Sequence, residues 1–400
     1  GWWNDMKIRG SYGSLGNQVM DDLGNFPYLA TYGTNSSYNY LINGSKPVIV
    51  KAPGLVAPDF TWETVTQMDF GFDASFLNNR LTGTFDWYRR NTKDMLVAGA
   101  TLPATLGASV PKSNSADMKT IGWELSLGWN DRLENGFSYW VKGVLSDYQA
   151  TITKYAGNDA GFYSQSDGDG KYYVGQKIGE IWGYHSNGLF QSDDEAATID
   201  QSELYAGKWG AGDVKYEDLD NDGKITKGEE TIYNPGDKSI IGNKTPRYQF
   251  GITVGFDYKN FDFEMFWQGT GKRDYMLSGA QFWGFTSQWD VPYTPALDYW
   301  TETNTDAYFP RPGWQNGGNR VTSDRYLQSA AYGRLKNLTV GYTIPKNLTT
   351  KWGISRLRLY VTGENLLTIT PLNDAFDPET LGGMTYPINR KVAIGLNLTL

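Results

Sequence analysis

The sequence predicts an all-β protein: an antiparallel, up-and-down sheet of about ten strands that crosses a bilayer as a transmembrane β-barrel wall, with long connections on one side. Three observations predict it. Ten segments alternate apolar with polar or small residues; the connections between them alternate short and long; and charges of both signs collect on the face opposite the apolar one. A tilted β-strand needs only about 9–11 residues to span a membrane. Each of the ten segments is long enough.

The segments follow in order. The first, 4–14, holds "MKIRGSYGS". The second, 62–75, sets Met68, Phe70, Phe72 and Ala74 against Gln67, Asp69, Gly71 and Asp73. "FLNNR", rich in turn formers, leads into the third, 80–91, with Trp87 on the apolar face and Asp86 opposite. The fourth, 118–130, carries Trp123 and Trp129 against Glu124, and "NDRLEN" joins it to the fifth, 135–148, with Tyr139 against Lys142. The sixth, 246–258, places Tyr248, Phe250, Ile252, Val254, Phe256 and Tyr258 on one face; "YKN" links it to the seventh, 260–271, with Trp267 against Asp262 and Glu264. The eighth, 332–344, contains Tyr342 and leads through "PKNLTTKWG" to the ninth, 354–367, with Arg358 and Glu364 inside. The tenth, 386–400, runs Val392, Ile394, Leu396, Leu398, Leu400 to the last residue. Termini normally fray. In lipid every backbone N–H and C=O must be paired within the protein, so a closing strand has to be as regular as an interior one.

The remaining connections, 15–61, 92–117, 149–245, 272–331 and 368–385, are long. Strict alternation is the rule for barrels with short turns on one side of the membrane and long loops on the other. A β-sandwich is the alternative, and it would want short connections at both ends. Ten strands either close a small barrel or form one side of a larger one; strand count alone permits both.

Composition narrows function. No run approaches the ~18 apolar residues of a spanning helix. A formal charge of −8 without a basic cluster argues against nucleic acid, whose affinity rests on grouped Lys and Arg. There is no cysteine and one histidine, His185, so thiolate metal sites are excluded and at most one His-based catalytic site exists. His185 reads as a loop residue. The chain opens on "GWWNDMKIRG" with no signal-peptide pattern, as expected of a processed chain or a portion of a longer polypeptide.

The clearest ligand pattern is "DLDNDGKITKGE", 218–229. Asp218, Asp220 and Asp222 fall at positions one, three and five, Gly223 at six and Glu229 at twelve, the spacing of a calcium loop. It predicts a structural Ca2+ held by those carboxylates, the Lys224 carbonyl, Thr226 and Glu229, with Ile225 pinning the loop by a short β contact. The bland counterpart is an acidic turn balanced by water and Lys224 or Lys227. "SDGDGKYY", 166–173, lacks the distal acid and reads as a solvated turn. Loop aromatics, Trp182, Tyr184, Trp209, Trp283, Trp289, Tyr293, Trp300 and Trp314, read chiefly as loop packing, with sugar stacking or a covered surface as the rival use. Arg89, Arg90 and Lys93 read as an interfacial cluster facing lipid headgroups.

The stretches "KIRGSYGSLGN", "NNRLTGTFDWYRRNTKDML", "IGEIWGYHSNGLFQSDDE", "GDVKYEDLDNDGKIT", "RLKNLTVGYTIPKNL", "LRLYVTGENLLTIT" and "DPETLGG" occur in one order over nearly the whole chain. In this the sequence resembles the SusC/RagA-like TonB-dependent outer-membrane transporters of Bacteroidota. The resemblance implies that residues 1–400 are the C-terminal part of a 22-stranded barrel whose plug and first strands lie outside this chain, and that 149–245 is an extracellular loop carrying the calcium motif. It further implies import of oligosaccharides or peptides, a SusD-like surface lipoprotein as lid, and energy from the TonB–ExbB–ExbD complex through the N-terminal region. Enzymatic chemistry is not expected. The rival reading keeps the fold as a structural subunit of a larger outer-membrane secretion or assembly complex.

Overall fold

The computed structural model describes residues 2–17, 26, 28–35, 41–98, 103, 105, 107–108, 110–156, 158, 161–162, 172–313, 316–381 and 386–400. All ten expected strands are present: β1 (Trp3–Asn17), β2 (Glu63–Phe76), β3 (Leu81–Ala98), β4 (Lys112–Arg132), β5 (Ser138–Tyr155), β6 (Arg247–Tyr258), β7 (Phe261–Lys272), β8 (Tyr332–Thr343), β9 (Arg356–Ile369) and β10 (Lys391–Thr399). They pair antiparallel in chain order, so the sheet is a pure meander. Its two edges are β1 and β10, which are not partners of each other. Among the described residues the sheet is therefore open, and its ten strands do not close on themselves.

Register assigns the two faces. Met68 and Phe70 of β2 lie opposite Tyr12 and Gly10 on one side and Arg89 and Trp87 on the other. Met68 is 43% and Phe70 54% exposed, and on β10 Ile394 reaches 83%, so these apolar side chains stand open on the outward face. That is the signature of a surface solvated by lipid. Aromatics collect toward the short turns: the Trp129 indole N–H donates to the Tyr139 hydroxyl (3.2 Å), and Phe261 packs on Tyr342 with ring centres 4.8 Å apart. Such rings suit a membrane interface.

The opposite face is polar and internally paired. Arg9 donates to Asp73 (2.9 Å) and to Asp86 (3.0 Å) across β1, β2 and β3. Arg358 of β9 reaches Asp262 of β7 (2.8 Å). Charges facing a hydrated lumen need not be paired, but these link neighbouring strands side to side. The "FLNNR" turn is left-handed at Leu77, Asn78 and Asn79, with φ of 54°, 60° and 64°. Asn tolerates that region better than most residues, and Asn4 holds the turn by accepting from the Asn78 N–H (2.8 Å).

Several strands run further than the alternation suggested, β5 among them, which continues to Tyr155. β3 continues to Ala98 and β4 begins at Lys112, so the connection expected at 92–117 contracts to 99–111. Register shifts at Thr92 and Met95 explain this, because a bulge breaks the two-residue period without ending the ladder.

Above the wall, on the long-connection side, sits a second body. Its core contains Tyr184, Leu189, Val214, Tyr216, Ile225, Leu277, Phe282, Phe309, Tyr326, Leu372 and Phe376. These come from three connections, 156–246, 273–331 and 370–390, and none comes from a wall strand.

Candidate functional site

The acidic loop is assembled locally. Asp218 accepts from the backbone N–H groups of Asn221 (2.7 Å) and Gly223 (2.7 Å), Asp220 from Asp222 (3.2 Å), and Asp222 from Lys224 (2.8 Å). Asn221 and Gly223 take φ of 61° and 83°, the left-handed steps that fold the carboxylates inward. One oxygen from each of Asp218, Asp220 and Asp222 lies within 4.8 Å of the others. Ile225 is fully buried, and its N–H donates to Asp200 O (2.7 Å) while Gly223 O accepts from Asp200 N–H (3.0 Å). The expected short β contact at position eight is therefore formed, with 199–201 as its partner.

Charge crowding shows in the carboxyl groups. Desolvation works to raise Asp218, but the N–H donors of Gly223, Asn221 and Asp222 outweigh it and hold its pKa below the ordinary carboxylate value. Asp220 moves the other way: desolvation first, then the charges of Asp222, Asp237 and Asp218, push its pKa up despite one backbone donor. A hard cation placed among the three would reverse that repulsion.

The distal half of the motif departs from the expected pattern. Glu229 is not among the mutually close carboxylates; its N–H donates to Asn234 O (3.0 Å). Left-handed Gly228 and Glu230 start a separate turn there, and Glu230 pairs with Lys238 (2.6 Å). Thr226 is tied instead to Asp237, donating its N–H to Oδ2 (2.7 Å) and accepting from the Asp237 N–H (3.1 Å). Asp237 is almost fully buried, and its other oxygen takes the Leu219 N–H (2.7 Å). Asp237 thus closes the loop where spacing pointed to Glu229, and no twelve-residue pattern could have found it. Of "SDGDGKYY", residues 166–171 lie outside the described residues.

Most loop aromatics are structural. Trp182 stacks on Phe162 with centroids 4.0 Å apart; Tyr184 and Trp283 are buried; Trp209 packs edge-on against Tyr216. Trp289, at 83% exposure, and Tyr293 stand free, and Trp314 lies outside the described residues. His185 is a brace: Nδ1 meets Asp324 Oδ2 (2.8 Å) and Nε2 meets Ser239 Oγ (2.7 Å). Ser239 sits inside a two-stranded ladder opposite Gly183, and Asp324 also accepts from the Ser186 N–H (3.0 Å) and donates its own N–H to Tyr184 O (3.1 Å). The three side chains fasten 322–326 to that ladder. The sequence offers no signal for this, since the partners lie 54 and 139 positions away.

The loop body is also tied down to the wall. Arg334 of β8 faces the lumen opposite Gln268 and is almost fully buried; it donates to Thr368 (2.9 Å) and Asp377 (2.6 Å) and lies 3.3 Å from Glu379. Lys336 reaches the same Glu379 (2.7 Å). Residues 372–381 are therefore a strap, with Asp377 and Glu379 on the wall and Leu372, Phe376 and Leu381 in the loop core.

Comparison with known proteins agrees with this architecture. The family described as TonB dependent receptor-like, beta-barrel, matches residues 2–366. TonB-dependent receptor P3 of Formosa agariphila is 29% identical over 98% of this chain and 39% of its own length. TonB-dependent receptor SusC of Bacteroides thetaiotaomicron is 26% identical over 99% of the chain and 37% of its own. Among solved structures the RagAB peptide transporter superposes with a TM-score of 0.75 at 22% identity, over 99% of this chain and 41% of that one. The chain spans about two fifths of the length of the relatives it matches.

Proposed function

The chain belongs to the TonB-dependent receptor-like β-barrel family, whose members are outer-membrane transporters and not enzymes, and from that premise we propose that it is the C-terminal wall and loop layer of an outer-membrane importer. The cargo we propose is an oligosaccharide or a peptide. Uptake is powered by the TonB–ExbB–ExbD complex through a plug and coupling segment N-terminal to this chain, in a barrel of 22 strands. A SusD-like surface lipoprotein closes the loop layer.

One observation carries the reading: the long connections fold into a body with its own apolar core, strapped to the lumen face of the wall at Arg334 and Lys336. A barrel that served only as a hole would need no such body, whereas a capture-and-gate vestibule requires a rigid one. The chain's own residues do no covalent chemistry in this scheme. They exclude lipid, present the vestibule, and hold the lid partner.

The Asp218, Asp220, Asp222 loop, closed by Ile225 and Asp237, fits a calcium ion in the chemistry of its donors, and we assign it a structural cation that stiffens 212–230. The Lys224 carbonyl and Thr226 belong to the same proposed donor set. Its effect is on the loop body alone.

The experiment that tests transport is uptake of labelled oligosaccharide and peptide pools by cells carrying the full-length protein, with and without its energy-coupling segment. Import lost with that segment supports the reading. A full-length protein whose deletion leaves uptake intact and instead dissolves a larger outer-membrane assembly would favour the scaffold role.

A further inference from the structure

The lipid-facing side of β2, β3 and β4 changes character abruptly near the long-connection end. Phe70, Trp87 and Trp123 form one cross-strand row. One step further from the short turns the row is Met68, Arg89 and Ile121, and the next is Thr66, Asn91 and Lys119, with Lys93 beyond them opposite Thr64. Arg89, Lys93 and Lys119 therefore share the outward face immediately above the apolar band. Arg90, adjacent in sequence, is not part of this group: it points to the lumen and donates to Gln67 (3.2 Å). The sequence grouping of Arg89, Arg90 and Lys93 is thus replaced by a different trio.

The three cations are unneutralised. Arg89 donates to the Asn91 side chain (3.3 Å), and among the described residues no carboxylate forms an ion pair with Arg89, Lys93 or Lys119. Arg247 of β6, by contrast, is closed by Asp147, which lies opposite Trp123. Asp117 on β4 takes the Asp94 N–H (3.0 Å), and Lys154 stands across from it on β5. The patch keeps its net positive charge.

We propose that Arg89, Lys93 and Lys119 bind the phosphate of an anionic lipid headgroup in the outer leaflet. Spacing supports it. Arg89 and Lys93 are four residues apart, about 13 Å along the strand, and Lys119 faces Asn91 midway between them, about 5 Å across. Each of the outer two is then within about 8 Å of Lys119 at the backbone, a gap that long basic side chains bridge around one phosphate. The patch is continuous with the lipid-contacting band, so the headgroup of a lipid whose chains lie on Phe70, Trp87 and Trp123 arrives among these cations without leaving the membrane. Arg supplies a planar fork and the two lysines supply movable point charges. The proposal rests on the outward face being lipid-facing and is independent of what the barrel transports.

The test uses the full-length protein in detergent, with native mass spectrometry to count bound lipid. The probes are a bis-phosphorylated glycolipid, its dephosphorylated counterpart, and inorganic phosphate. The wild type should retain the phosphorylated lipid selectively, and Arg89→Gln/Lys93→Gln/Lys119→Gln should lose at least tenfold in affinity, since each surface cation contributes about fivefold. Arg90→Gln should bind as wild type. Correct assembly of each variant is checked by its heat-dependent electrophoretic shift; if the triple variant fails that check, Arg89→Gln and Lys119→Gln alone should each weaken binding about fivefold. Equal retention of both glycolipids, an unaffected triple variant, or displacement of the lipid by equimolar inorganic phosphate would overturn the assignment.

Discussion

The wall and the loop body use aromatic side chains in opposite senses. On the wall, Phe70 and Ile394 stand exposed on the outward face; in the loop body, Tyr216, Phe282 and Tyr326 are fully buried in one cluster. Wall strands obtain order from a continuous hydrogen-bonded ladder and from lipid, so their side chains need only match a solvent. The loop body has short, scattered ladders and must obtain order from packing, as a soluble domain does. Two folding regimes therefore share one chain, and their independence can be measured.

The largest effect should come from the loop core. Phe282 has rings of Trp283, Phe309, Tyr308, Tyr326 and Phe376 around it. Phe282→Ala should cost about 3–5 kcal/mol of loop-body stability. Limited proteolysis should then cut within 273–331, while the heat-dependent electrophoretic shift of the barrel stays as in wild type. Loss of that shift would show the two regimes to be one cooperative unit.

The strap sets how far they are coupled. Arg334→Ala leaves Asp377 and Glu379 without their buried cation, at a cost of about 3 kcal/mol. Cleavage should appear first in 371–381, ahead of the core, if the strap is a tether and not part of the core. A wall substitution should do the reverse. Val340→Arg puts a charge on the lipid face and should cost about 2 kcal/mol in barrel refolding from urea into vesicles, whereas Thr339→Lys on the lumen face should be nearly silent. Equal costs for the two would undo the assignment of faces.

That contrast also explains what could be read from sequence. A strand flanked by lipid and water obeys a strictly local rule, so all ten were legible, while bulges at Thr92, Met95 and Asp117 hid the extra length of β3, β4 and β5. In the loop body the deciding contacts are remote. The buried Tyr216 hydroxyl donates to Gly318 O (2.7 Å), and Asp213 joins Arg311 and Asn319 (both within 2.9 Å), about a hundred residues onward. No period encodes such pairs. The acidic loop falls between these cases. Its first eight positions follow from spacing because they are bonded to one another, while its closure by Asp237 depends on a turn at Gly228 and Gly236 that brings two backbones together. Arg90 shows the same limit at smaller scale: adjacency in sequence placed it with Arg89, and alternation places it on the other face.

The smallest effect is the most discriminating for the cation. Asp218 has its pKa lowered in the folded loop, so it contributes stability above its unfolded value of about 4, and that contribution is lost as pH falls through the folded one. Asp220 has its pKa raised; its contribution is present below the unfolded value and is lost as pH rises through the folded one, so at neutral pH without a cation its charge works against the loop. A bound calcium inverts the second sign, because the same charge then becomes a ligand. Asp220→Asn should therefore slow proteolysis of 212–230 in chelator and hasten it in calcium. A shift in the same direction under both conditions would mean that the three aspartates form a turn and nothing more, and the loop body would then owe its rigidity entirely to the apolar core below it.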